Sequence, residues 1–177
     1  MSPMPTPTSS AAKTCCKTCQ GGAFACRKPR LALRVLIATP LSDCHSVSPK
    51  LLETHLAEHG YRVRNLGACC STEEIAQGAA TFKPDAILLC AQNGHALMDL
   101  RDLPAVLARY RITPPPTYIG GNVTVGAEKD LAAINAAFSD LGIEILGSFE
   151  DALGRLQDLR AAKTRTAVAV AEPTAKA

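Results

Sequence analysis

The stretch LRVLIATPLSDCHSVSPK, residues 33–50, decides the fold. Its opening run, Leu33 to Ala38, has the length and apolar character of a buried strand. Ser48-Pro49 then opens a helix, with Ser48 as cap and Pro49 at the first position, and this helix buries Leu52 and Leu56 before Gly60 stops it. A strand that passes through a loop straight into a helix is the first half of a β-α-β unit, and the pattern repeats downstream. Tyr61 to Leu66, Ala86 to Ala91, Thr117 to Gly120 and Ile143 to Leu146 read as further strands, each followed by an amphipathic stretch. Ser71-Thr72-Glu73-Glu74 has the form of a capping box ahead of Ile75, Ala79 and Phe82. Leu103, Leu107 and Tyr110 make a third stripe, and Leu131, Ile134, Phe138 and Leu141 a fourth that ends at Gly142; Leu153 and Leu156 anchor a fifth. Strand–helix units with short connections imply parallel strands joined by right-handed crossovers. The expected fold is α/β, a flavodoxin-like, doubly wound five-stranded parallel sheet of Rossmann-like type with strand order 2-1-3-4-5.

Composition narrows the rest. Of 177 residues 47% are hydrophobic, enough for one core, and a net charge of +3 spread along the chain gives no basic stripe for nucleic acid. No apolar run has the length of a membrane span, and the N-terminal stretch lacks the apolar region of a secretory signal, so a cytoplasmic protein is expected. The eight cysteines then read as free thiols rather than as a disulfide framework. Residues 1–30 form a Cys-containing leader with little to bury, residues 31–161 the domain, and residues 162–177 a tail; both ends are expected to be disordered. In the leader, Cys16 and Cys19 have the spacing of a thiolate pair that Cys15 and Cys26 could complete, or they belong to a leader with no metal.

The loops after strands one, three and four converge at the carboxyl edge of such a sheet, where open α/β sheets bind ligands. The first carries Asp43-Cys44-His45. A carboxylate two residues before a histidine fixes the ring's tautomer and leaves its far nitrogen for a metal. The second carries Cys90-Ala91-Gln92-Asn93-Gly94-His95, and the third Gly120-Gly121-Asn122-Val123-Thr124, whose glycine pair lets a backbone pass close to a ligand. Neither a dinucleotide fingerprint nor a phosphate-binding Walker loop is present in the sequence. His95 reads equally as a surface residue or as one facing a ligand or partner. His55 and His59 read as solvated, and Cys69-Cys70 as structural.

These residues resemble cobalamin-binding domains, in particular the small subunit of glutamate mutase (methylaspartate mutase). That family's pattern is Asp-x-His-x-x-Gly, later Ser-x-Leu, then Gly-Gly. Asp43-Cys44-His45, Asn65-Leu66-Gly67 and Ile119-Gly120-Gly121-Asn122-Val123 carry the likeness, which spans Leu33 to Leu159. It implies adenosylcobalamin bound with its own base displaced. His45 would be the lower ligand on cobalt, and Asp43 would accept the ring's other N–H. Ser42, Cys44 and Ser46 would flank the corrin. Cys90, Ala91 and Gln92, together with Gly120, Gly121, Asn122, Val123, Thr124 and Val125, would line a slot for the displaced nucleotide tail. It also implies a heteromer: a non-catalytic, cofactor-binding subunit of an intramolecular transferase, working with a large catalytic mutase subunit that supplies a barrel domain. Glutamate, or a similar amino acid, would be rearranged by radical chemistry.

The sequence departs from the pattern at two places. Ser48 stands where the family has its loop glycine, and the following proline biases it toward an extended conformation. Cys90-Ala91-Gln92 stands for Ser-x-Leu, exchanging a hydroxyl for a weaker thiol donor and a leucine for an amide. Two other readings stay open. One is a stand-alone cobalamin carrier, sensor or methyl-corrinoid protein, although the leader is short for the helical cap domain such proteins carry. The other is a flavodoxin-like domain that binds no corrinoid.

Overall fold

The computed structural model of the chain describes residues 32–124 and 130–171. The leader, with Cys15, Cys16, Cys19 and Cys26, lies outside the described residues, as do Val125 and the end of the chain from residue 172. The elements run β1 (Arg34–Ala38), α1 (Val47–Glu58), β2 (Arg62–Asn65), α2 (Thr72–Phe82), β3 (Ala86–Ala91), α3 (Ala96–Leu100), α4 (Leu103–Arg109), β4 (Thr117–Gly121), α5 (Leu131–Asp140), β5 (Ile143–Leu146) and α6 (Phe149–Ala171). Every strand pairing is parallel and the sheet order is β2-β1-β3-β4-β5, the doubly wound arrangement expected from the sequence.

Because successive strand residues point to opposite faces, β1 and β3 feed two separate cores. Leu36, Leu89 and Ile119 meet Ile75, Leu103 and Phe138 on the side of α2, α4 and α5. Val35, Ile37 and Leu88 meet Leu56, Leu146 and Leu156 on the side of α1 and α6. Central β3 is buried along its whole length, whereas edge strand β2 alternates exposed and half-buried residues.

The local signals were read correctly at α2, where Ser71 Oγ accepts from Glu74 N (3.2 Å) and Glu74 Oε2 accepts from Ser71 N (2.8 Å). They were misread at α1. The helix begins at Val47, with Ser46 rather than Ser48 at the cap position and no side-chain cap. Ser48 is therefore helical, against its pre-proline bias. Pro49 is compatible with this because every N–H of a first turn lacks a helical acceptor, so proline marks that turn and not one position in it. The third stripe belongs to α4, and a short preceding helix, α3, was not foreseen. Leu131 is 65% exposed instead of completing the α5 stripe, being the first residue of the helix. The last helix continues to Ala171, past the boundary at residue 161, through a stretch, residues 162–171, with four alanines. Cys44, Cys69, Cys70 and Cys90 are free thiols. Among the described residues no helix is long and apolar enough to cross a membrane.

Candidate functional site

Beyond the carboxyl end of β1 the chain folds back on itself. Asp43 N donates to Pro40 O (2.9 Å), Cys69 N donates to Asp43 O (3.0 Å), and Pro40 bridges to Cys70. This turn drives the Asp43 side chain inward, where it is fully buried. Both carboxylate oxygens are used there. Oδ1 accepts from His45 N (3.0 Å) and lies 2.6 Å from His45 Nδ1, while Oδ2 accepts from Gln92 N (2.6 Å) and Asn93 N (3.1 Å). Burial pushes the Asp43 carboxyl up, but the N–H groups of Gln92, His45 and Asn93 and the His45 ring outweigh it, and the carboxyl sits below its ordinary 3.8.

A carboxylate only accepts, so the 2.6 Å contact places the ring proton on Nδ1. In the neutral imidazole Nε2 then carries the lone pair, and 58% of the His45 side chain is exposed. The loop is held on its other flank by Ser42, whose N and Oγ donate to Asp99 Oδ2 (3.0 and 2.7 Å) and whose carbonyl accepts from Asn93 Nδ2 (2.8 Å). Ser42, Cys44 and Ser46 are all exposed around His45.

Beside this loop a cavity of about 680 Å³ opens between the sheet and helices α1 and α6. Leu88, Cys90 and Gln92 form one wall, Tyr118 to Gly121 a second, Leu51, Leu52 and His55 of α1 a third, and Leu146 to Phe149 with Ala152 the fourth. The two glycines of β4 have different reasons to be there. Gly121 has φ +103°, and a Cβ on it would lie 2.1 Å from Ala91 O, so the backbone itself requires glycine. Gly120 has an ordinary φ, and its Cβ would meet only Leu146 O at 3.8 Å. Folding does not demand glycine at 120; the missing side chain keeps the cavity open. Cys90 is 9% exposed, and burial together with the Asp43 charge pushes its thiol up to about 11, so it is a protonated donor at neutral pH.

The structure thus gathers Asp43, His45, Cys90, Gln92, Gly120 and Gly121 at one end of the sheet. Ala91 is fully buried in the core on the opposite face, paired with Gly121 in register. Asn122 stands at the rim, its Nδ2 donating to Gln92 O (3.2 Å); Val123 packs against the core and Thr124 is half-buried. His95 is exposed at the start of α3. The reading of His55 as solvated needs correction: it is half-buried, lines the cavity, stacks on His59 (4.3 Å between centroids) and meets Phe149 edge-on (4.7 Å). The α1 wall and Tyr118 were missed. Their signal is periodicity: Ser48, Leu51, Leu52 and His55 share one helix face, and Tyr118 shares the Gly120 side of its strand.

Among the described residues no three His, Cys, Asp or Glu side chains are grouped to hold a metal ion. A single outward imidazole beside a deep slot fits a metal that arrives in its own macrocycle and needs one axial ligand. The slot fits an appendage of that macrocycle.

Comparisons with known proteins give the family and the fold. The family model for the B12 binding domain matches residues 33–156. The glutamate mutase sigma subunit of Halobacterium salinarum is 34% identical over 140 residues, 79% of this chain and 91% of the relative. That of Carboxydothermus hydrogenoformans is 30% identical over 103 residues, 58% and 74% of the two chains. Among solved structures, a cobalamin-binding protein from Desulfitobacterium hafniense superposes with a TM-score of 0.60 at 18% identity, over 73% of this chain and 60% of that one. The methanol:cobalamin methyltransferase complex from Methanosarcina barkeri gives 0.57 at 20% identity, over 73% and 46%. The chain spans under two thirds of either structure, and at these identities the likeness is one of fold. With the family model covering nearly all of the sheet and its helices, the chain belongs to the B12 binding domain family.

Proposed function

We propose that this chain is the cobalamin-binding small subunit of an adenosylcobalamin-dependent carbon-skeleton mutase of the glutamate mutase type, acting on L-glutamate or a related amino acid. The observation that carries the reading is the Asp43–His45 pair, tied to the cavity wall through the Gln92 N–H that Asp43 accepts. The saturated, buried carboxylate holds the imidazole as the Nδ1–H tautomer and raises the basicity of Nε2, which is what an axial ligand to cobalt needs. His45 would hold the metal. Ser42, Cys44 and Ser46 would border the corrin, and Cys90, Gln92, Gly120 and Gly121 the nucleotide tail displaced from cobalt, with Asn122, Val123 and Thr124 following on.

When bound, adenosylcobalamin supplies the weak cobalt–carbon bond from which radical rearrangements start. The residues of this chain bind, orient and seclude. The apolar walls exclude water from the tail, and the Cys90 thiol, protonated at neutral pH, can donate to a ring nitrogen. A substrate site belongs, in this reading, to a separate catalytic subunit with a barrel domain covering the exposed face of the corrin. The similarity to sigma subunits supports that division, and the free thiols agree with a reducing cytoplasm.

Titration of the purified chain with hydroxocobalamin and adenosylcobalamin, followed by visible absorption, tests the reading. Saturable binding that His45→Ala abolishes or weakens is the expected result, with mutase turnover appearing only after a large subunit is added. Failure of the intact chain to bind either cobalamin, alone or with that subunit, would overturn it.

A further inference from the structure

Gln92 brings a side-chain amide to the cavity wall. Leu88, Cys90 and Gln92, two residues apart, line the same wall, so it runs from apolar through thiol to amide toward the carboxyl edge of the sheet. The backbone of Gln92 is committed: its N–H goes to Asp43 Oδ2 and its carbonyl accepts from Asn122 Nδ2. Its side-chain amide is half-buried and makes no hydrogen bond among the described residues. The amide lies close over Gly121, its Nε2 2.8 Å from where a Cβ on that glycine would stand. The cavity walls are largely apolar, Leu51, Leu88, Leu146 and Phe149 among them, and Ser48, His55, Cys90 and Tyr118 bring other polar side chains.

A ligand that fills this cavity displaces water from the amide, which carries two donors on nitrogen and two lone pairs on oxygen. A ligand lacking matching groups leaves them unpaired, and sites built around a buried polar group reject such ligands far more strongly than apolar pockets reject an added group. A glutamine amide pairs best with an edge that presents an acceptor and a donor side by side, as adenine does; dimethylbenzimidazole offers a ring nitrogen that accepts and nothing that donates.

We infer that this cavity discriminates among cobamides by their lower base, and that Gln92 is the specificity residue, favouring a purine such as adenine over dimethylbenzimidazole. The inference rests on the reading above, in which the displaced base enters the cavity. Dissociation constants of the full chain, measured by visible titration with hydroxocobamides bearing adenine, dimethylbenzimidazole or cresol, test it. The wild-type chain is expected to bind the adenine form tighter than the other two by about tenfold or more. Gln92→Leu, and the near-isosteric Gln92→Met in case leucine disturbs the loop, should bring the ratio to within about threefold. Equal or tighter binding of the dimethylbenzimidazole form by the wild type, or a ratio that neither substitution changes, overturns the inference while leaving cobamide binding intact. Absence of binding to all three forms sinks the functional reading, and this inference with it.

Discussion

Replacing Asp43 with Asn changes one atom and should disable the site in a specific way. The carboxylate accepts four contacts, two on each oxygen. An asparagine has one oxygen, and the cheaper orientation keeps it on the buried backbone N–H groups of Gln92 and Asn93. Its amide nitrogen then faces the half-exposed His45, whose N–H turns to water and whose ring must accept at Nδ1. The ring proton moves to Nε2, the atom that should bind the metal. Hydrogen bonds to a charged acceptor contribute about 1.5–3 kcal/mol and to a neutral one about 0.5–1.5, so the two retained bonds lose about 2 kcal/mol together, and the exposed N–H released to water with the weakened ring contact about 1 more. A total of about 3 kcal/mol, at a urea m-value of about 2 kcal/mol/M, lowers the unfolding midpoint by about 1.5 M. The pH dependence has a fixed sign. The folded-state carboxyl sits below its unfolded value of 3.8, so its contribution is complete above that value and is lost as pH falls through the folded pKa. The gap between wild type and Asp43→Asn should therefore be constant at neutral pH and close only in strong acid. A midpoint shift under about 0.3 M, or a gap that closes near pH 6, would refute the assignment of Asp43 as the ionised anchor of the loop.

The glycine pair should separate folding from binding. Gly121→Ala, which forces a Cβ against Ala91 O at φ +103°, should cost several kcal/mol, about 3 or more, in urea unfolding. Gly120→Ala should change stability by no more than about 0.5 kcal/mol yet weaken cobalamin binding measured by titration. Ser71→Ala, which removes the α2 cap, should cost about 1 kcal/mol without touching cofactor affinity. In iodoacetamide labelling near pH 8 read by mass spectrometry, exposed Cys44 and Cys69 should react well before Cys90, whose thiol is buried and pushed up to about 11.

The sheet order was legible because the inner strands are short apolar runs bounded by helix signals, and the right-handed crossover rule leaves few ways to arrange parallel strands. The Asp43–His45 pair was legible because a two-residue spacing is local. The cavity was not. Its walls come from α1, β3, β4 and the start of α6, far apart in sequence, and which α1 face lines them is set by contacts such as that of His55 with Phe149. The distinct roles of Gly120 and Gly121 depend on one φ angle and on the carbonyl of the neighbouring strand, neither of which a sequence displays. Likewise the sequence points to Ser48 as the cap of α1, whereas the helix starts at Val47 with Ser46 at the cap position.

The central claim is that the His45 nitrogen binds cobalt in place of the cofactor's own base. The paramagnetic resonance of cob(II)alamin on chain labelled with 15N-histidine tests this most directly. The account predicts superhyperfine splitting that changes from a triplet to a doublet pattern on labelling and is lost in His45→Ala. A triplet unaffected by the label, as dimethylbenzimidazole nitrogen gives, would contradict it.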